Sequence, residues 1–191
     1  MNALTLLTAD HNRVRGLFAR FSEAHESDDH QAMEQIARQI FVELAVHTQI
    51  EEEIFYPAVR NAGEQFSEEV SEAFEEHHVV KALMGEVTAL QVEDEAWSAK
   101  MQVIVENVEH HASEEEQEMF REVGKAMDGD ALEDLGMRLD RRKGELGAPT
   151  LADREGLSTD QLKELARDQA IPGRSSMSRE ELMATVSPSA V

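Results

Sequence analysis

Two stretches of this chain combine residue types that hold metal ions. The first is His47-Thr48-Gln49-Ile50-Glu51-Glu52-Glu53-Ile54-Phe55-Tyr56-Pro57, and the second is His111-Ala112-Ser113-Glu114-Glu115-Glu116-Gln117-Glu118-Met119-Phe120. Each contains His-x-x-x-Glu, pairing His47 with Glu51 and His111 with Glu115. Four apart on a helix, two side chains leave neighbouring turns in the same direction, so one ion can take both. Upstream, Met33, Ile36, Ile40 and Leu44 step by three and four onto His47 and Glu51. Trp97, Met101, Ile104 and Val108 lead in the same way to His111 and Glu115. Both pairs therefore fall on the apolar face of an amphipathic helix. A carboxylate at a core position needs a cation, because an unpaired buried charge is costly. His110 with Glu114 is a rival frame in the second stretch, but the stripe and the alignment of the two stretches agree on His111.

A shorter signature precedes each stretch. Asp10-His11-Asn12-Arg13-Val14-Arg15-Gly16-Leu17-Phe18 lines up with Glu76-His77-His78-Val79-Val80-Lys81-Ala82-Leu83-Met84. His11 shares a stripe with Leu7, Val14 and Phe18, and His77 shares one with Val70, Phe74 and Val80. The chain thus reads as a tandem repeat of a helix pair, each pair supplying His and then His-x-x-x-Glu. The candidate metal ligands are His11, His47, Glu51, His77, His111 and Glu115. Mixed imidazole and carboxylate donors suit iron, manganese or zinc better than calcium or magnesium. Tyr56, His78 and His110 are open candidates for a further ligand. Glu52, Glu53, Glu114 and Glu116 are expected on solvated helix faces, and His25 and His30 in a polar loop.

The elements that must position these groups are all helical. Four helices are expected over about 2–22, 31–61, from Ser67, and 96–127, with Ser67-Glu68-Glu69-Val70 as a cap and Pro57 a kink or an irregular last turn. Leu132, Leu135, Leu139 and Leu146 predict a fifth, short helix beside the bundle, and Gly144, Gly147 and Pro149 a linker. The expected division is a bundle over 1–146 and a small helical appendage over 147–191. In the appendage Ser158 and Ser178-Arg179-Glu180-Glu181 cap two short helices around Ile171-Pro172-Gly173-Arg174. That layout resembles the helix-extended-helix module of the Rho terminator N-terminus and SAP-like domains, whose relatives bind nucleic acid. Here Arg154, Lys163, Arg167, Arg174 and Arg179 are outnumbered by acidic residues, so packing or docking to a protein partner is the favoured role.

Composition excludes several classes. Forty acidic residues against 18 basic ones give a net charge of −22, which repels nucleic acid and anionic membrane. No apolar run is long enough to span a bilayer. The absence of cysteine removes disulfides, thiolate nucleophiles and zinc–sulfur sites. No basic stretch followed by an apolar one marks a secretory signal, so a cytoplasmic address is expected.

The order His, His-x-x-x-Glu, His, His-x-x-x-Glu resembles the hemerythrin-like (HHE cation-binding) family over about Leu4 to Leu146. The resemblance implies an all-α, up-down-up-down four-helix bundle holding two Fe ions in an oxo- or hydroxo-bridged di-iron centre. In it His11, His47, His77 and His111 would be terminal ligands, and Glu51 and Glu115 would bridge. Ferritin-like bundles use Glu-x-x-His on two helices, and only Glu75-Glu76-His77-His78 offers that spacing. Oxygen-carrying hemerythrins place His-x-x-x-His on the third helix. Here Ala73 and Lys81 lie four from His77, and Phe74 and Ala82 four from His78. The expected function is therefore binding of, or reaction with, dioxygen or peroxide. Response to nitric oxide or iron donation is the alternative, and a metal-free helical adaptor a third reading.

Overall fold

The computed structural model describes residues 1–150 and 152–186. Helix α1 (Ala3–Glu26) begins where the Asn2 side chain accepts the Thr5 N–H at 2.9 Å. It runs a turn further than the apolar stripe predicts, so His25 lies in its last turn, exposed. Asp28, with φ 56°, reverses the chain, and Asp29 caps α2 (His30–Ile50) by accepting from Ala32 N. The helix then passes through one π turn, Glu51–Phe55, and continues as α3 (Tyr56–Ala62). The second pair repeats this plan. A 3-10 turn, Glu64–Phe66, leads into α4 (Ser67–Thr88); α5 (Glu95–Glu114) passes through a π turn, Glu115–Met119, into α6 (Phe120–Ala126). Ser67 is the first residue of α4 and not its cap. Its N–H bonds the Glu64 carbonyl, so the preceding turn satisfies the helix end without a side chain.

Cross-helix contacts fix the directions. Arg13 meets Glu43 and Arg20 meets Gln39, so α1 and α2 run antiparallel. The pairs His77–His111 and Lys100–Glu86 make α4 and α5 antiparallel, and Arg15–Glu109 and Phe21–Trp97 do the same for α1 and α5. Tyr56–Phe74 and Arg60–Ser71 set α3 against α4. The bundle is up-down-up-down. Its interior is two apolar clusters: Leu7, Ile50, Phe55, Val59 and Val123 belong to one, and Phe18, Ile40, Leu44, Met101 and Ile104 to the other. Along each helix the candidate ligands fall between members of the two clusters.

Helix α7 (Gly129–Glu145), capped by Asp128, lays Leu132, Leu135 and Leu139 against the first cluster. Capping boxes at Ser158 and Ser178 start α8 (Thr159–Asp168) and α9 (Arg179–Thr185), as the sequence predicts. The stretch between them is turns and not extended chain: Ala170 and Gly173 have φ of 56° and 67°, and Ser176 N bonds the Gly173 carbonyl. Leu162, Ala166, Ile171, Leu182 and Val186 form a small separate core. Leu151 and residues 187–191 of this segment lie outside the described residues. Among the described residues no helix is long and apolar enough to cross a membrane.

The appendage rests on α1. Buried Arg13 donates through Nη1 to the Ala184 and Thr185 carbonyls at 2.9 and 3.0 Å. A Cβ on Gly16 would sit 2.5 Å from the Gln169 carbonyl oxygen. On a free helix Gly→Ala is worth about 1 kcal/mol of stability. Gly16→Ala should instead cost about 1–3 kcal/mol, because backbone must shift to admit the methyl. In a chain ending at Leu146 the same substitution should become stabilising. Urea unfolding of both pairs reads out the reversal, and equal signs in the two backgrounds would refute the contact.

Candidate metal centre

Between the two apolar clusters, four imidazoles and two carboxylates converge. His11 Nε2 lies 3.1 Å from His47 Nε2, and His77 Nε2 lies 3.1 Å from His111 Nε2. Glu51 Oε2 is 3.1 Å from His47 Nε2 and 3.4 Å from His77 Nε2, so one carboxylate touches both histidine pairs. Glu115 Oε2 does the same, 3.3 Å from His11 Nε2 and 3.7 Å from His111 Nε2. All six predicted residues are buried together, and Glu51 has no exposed surface. Their donor atoms form two sets of ion-binding size, one of His11, His47, Glu51 and Glu115 and one of Glu51, His77 and His111. Both oxygens of Glu51 and Oε2 of Glu115 accept no hydrogen bond. Buried carboxylate oxygens without donors are what a cation site shows when only the protein is counted.

Of the three open candidates, Tyr56 enters and the two histidines do not. The Tyr56 hydroxyl donates to Glu115 Oε1 at 3.0 Å and lies 3.3 and 3.5 Å from Nε2 of His77 and His111. His78 and His110 are exposed, and His110 pairs with Glu114 at the surface.

A ring of carboxylates outside the six was missed. Glu116 Oε1 is 2.8 Å from His11 Nδ1, Glu52 Oε1 is 2.9 Å from His77 Nδ1, and Glu76 Oε2 is 2.7 Å from His111 Nδ1. Asp10 Oδ2 faces His47 Nδ1 at 3.6 Å, longer than a hydrogen bond. Its shorter side chain also bonds Arg13 and Lys143 through Oδ1, which holds it back. Glu52 and Glu116 are therefore not solvated helix face; Glu53 and Glu114 are. The signal was present in the repeat. Asp10 and Glu76 each precede the lone histidine by one, and Glu52 and Glu116 each follow the inner glutamate by one.

The π turns were also unforeseen. Each opens at an inner glutamate, and the N–H five residues on (Tyr56, Phe120) bonds its carbonyl. Pro57 cannot be the cause, because the second turn has Arg121 in that place. One extra residue per turn rotates the chain beyond it, turning Phe55, Tyr56, Met119 and Phe120 all inward.

Electrostatics show how the protein alone balances this cluster. Burial, and after it the Glu115 charge, push the Glu51 carboxyl well above its ordinary range. Burial acts on Glu115 too, but His111 and His11 outweigh it and hold that carboxyl low. Burial opposes charge on His11, yet Glu115 and Glu116 raise it to about 9. Burial, helped by His111, takes His77 down to about 2. The proton on His11 thus occupies a place that a cation can take.

An all-α bundle with a buried, duplicated His/Glu cluster is a cation-binding protein of one recognisable class. The chain belongs to the hemerythrin HHE cation binding domain family, whose sequence model matches residues 2–123. A curated relative, a DNA nickase of Nostoc sp. (strain PCC 7120), is 29% identical over 121 residues, 63% of this chain and 33% of that protein. The chain spans about a third of that relative's length. No solved structure matches.

Two outcomes are expected of metal removal and addition. Imidazole and carboxylate bind metal only when deprotonated. Loading near pH 7 should therefore release the proton held by His11, and affinity should rise with pH as proton competition fades. A dye indicator in weakly buffered solution measures this; uptake without proton release would refute the charge balance. Glu51→Leu should lose metal yet raise the stability of the metal-free bundle by about 1–3 kcal/mol, since a desolvated, unpartnered carboxylate is gone. Thermal melts with and without chelator test it, and a metal-free variant melting below metal-free wild type would count against it.

Proposed function

We propose that this chain is a non-haem di-iron protein that binds and reacts with dioxygen or peroxide. The six inner residues offer four nitrogens and four carboxylate oxygens. That is enough for two ions sharing Glu51 and Glu115, with about two positions left open if each ion takes about six donors. His11 and His47 would serve one ion, and His77 and His111 the other. The outer ring supports this assignment. A carboxylate at Nδ1 fixes the imidazole tautomer and presents the Nε2 lone pair inward. When bound, iron supplies the electrons that dioxygen or peroxide takes up.

The observation that carries the choice of ligand is a cavity of about 20 Å³ against the four histidines, walled mainly by Val14, Phe18, Leu44, Val80, Val108 and Ala112. It has room for about one water-sized molecule and none for an organic substrate. Its apolar wall favours a small uncharged ligand. Tyr56 holds a proton at its hydroxyl, donated to Glu115 Oε1 beside the His77–His111 pair. Four residues from His77, α4 carries Ala73 and Lys81 and so supplies no second histidine. Strand cleavage, raised by the relative's name, is disfavoured by the charge of −22. The appendage's arginines also have partners within the chain: Arg154 is buried, Arg167 pairs with Asp168, and Arg174 and Arg179 bond backbone carbonyls.

Purified, iron-reconstituted protein should hold about two irons per chain. Stopped-flow mixing of the reduced protein with oxygen should give irreversible oxidation of the iron. A long-lived oxygenated spectrum that reverses on removing oxygen would mean carriage instead. Tyr56→Phe should keep the fold and weaken iron binding about 10–100-fold through loss of the bond that orients Glu115. Iron titration measures that.

A further inference from the structure

The carboxylates around this centre differ in how they are neutralised. Between α1 and α5, Arg15 bonds both Glu109 and Glu116 at 3.0 and 2.8 Å. Between α2 and α4, Lys81 bonds Glu52 at 2.5 Å. Where α7 meets the first π turn, Arg142 bonds Glu53 at 2.8 Å.

The groove between α4 and the α5–π turn has no such cation. It is a cavity of about 80 Å³ whose walls carry Glu69, Glu72, Glu76, Glu114 and Glu118. Among the described residues no lysine or arginine is paired with Glu69, Glu72, Glu114 or Glu118. Oε2 of Glu69 is buried without a hydrogen-bond partner, and burial together with Glu118 and Glu122 raises that carboxyl. The donor atoms of Glu76, His110 and Glu114 lie within 4.8 Å of one another. The floor of the cavity is the centre itself: His111 and Glu115 line it. The Glu115 side chain is 2% exposed, and its Oε2 accepts no hydrogen bond.

We propose that this groove is the route by which a divalent transition-metal ion reaches the centre, with Glu76, His110 and Glu114 as a transient outer binding site. The proposal rests on the di-metal reading above and adds how the site is filled. A hydrated cation approaching between α1 and α5, between α2 and α4 or beside α7 meets carboxylates already bonded to arginine or lysine. Here it meets carboxylates whose charge is uncompensated. Low-dielectric walls focus that field and raise the local cation concentration. The outer trio offers oxygen and nitrogen donors that can replace water ligands in turn. Glu76 also touches His111 Nδ1, so the outer and inner sites share a residue.

The test is the rate of loading of metal-free full-length protein with Co²⁺ alone, followed by its visible absorption in a stopped-flow instrument. Glu72→Gln/Glu118→Gln should slow uptake about tenfold at low salt, within the range of electrostatic steering. The difference should shrink near 0.5 M salt, where screening acts over a few ångströms. The final Co²⁺ content and affinity should stay at wild-type values. Glu23→Gln/Glu26→Gln makes the same charge change at exposed positions far along α1 and should load at the wild-type rate. An unchanged rate in the first variant, or equal slowing in the second, would overturn the route while leaving the di-metal reading intact. Wild-type protein that takes up no Co²⁺ would overturn both.

Discussion

The rest of this structure depends on two glutamates, Glu51 and Glu115, held in the middle of an apolar bundle among four imidazoles. Neither can be charged there without compensation, since desolvation of a carboxylate costs several kcal/mol. The surroundings are arranged around that constraint. The core is divided into two clusters so that one polar layer can cross it. The π turns open at these two residues, and the outer carboxylates orient the histidines that face them.

The outer ring ties the centre to the parts of the chain beyond the bundle. Asp10 faces His47, and its other oxygen bonds Lys143 of α7 and Arg13 of α1. Lys143 and Arg13 outweigh burial and keep Asp10 well below the ordinary carboxylate range. Arg13 reaches on to Glu43 and to the carbonyls that end α9. A buried cation needs several acceptors, and the appendage supplies two of them as main chain. This gives a physical reason for α9 to pack on α1: its terminal carbonyls lack helical partners, and Arg13 lacks water.

The duplicated helix pair and the burial of the six inner residues were legible because each follows from spacing. Hydrophobic residues at steps of three and four mark a buried face whatever lies opposite. A histidine or glutamate on that face declares itself by being out of place there. The same rule misjudged Glu52 and Glu116. They sit one position off the stripe, and their long side chains reach a histidine on the adjacent helix, a distance no single helix pattern contains. Ser67 was misread because a good cap residue was present where the preceding turn already satisfied the backbone.

Local pattern therefore determined which residues go inside, since burial depends on periodicity along one helix. Tertiary structure alone decided which groups meet across helices. Tyr56 shows the difference. From the sequence it is one of three open candidates for a further ligand, with His78 and His110, and nothing in the pattern chooses among them. The π turn rotates it by a fraction of a turn, and its hydroxyl reaches Glu115 on the other helix pair. Nothing in the spacing of residues 47–57 encodes that contact, because it depends on where a second helix, more than fifty residues away in the chain, places its carboxylate.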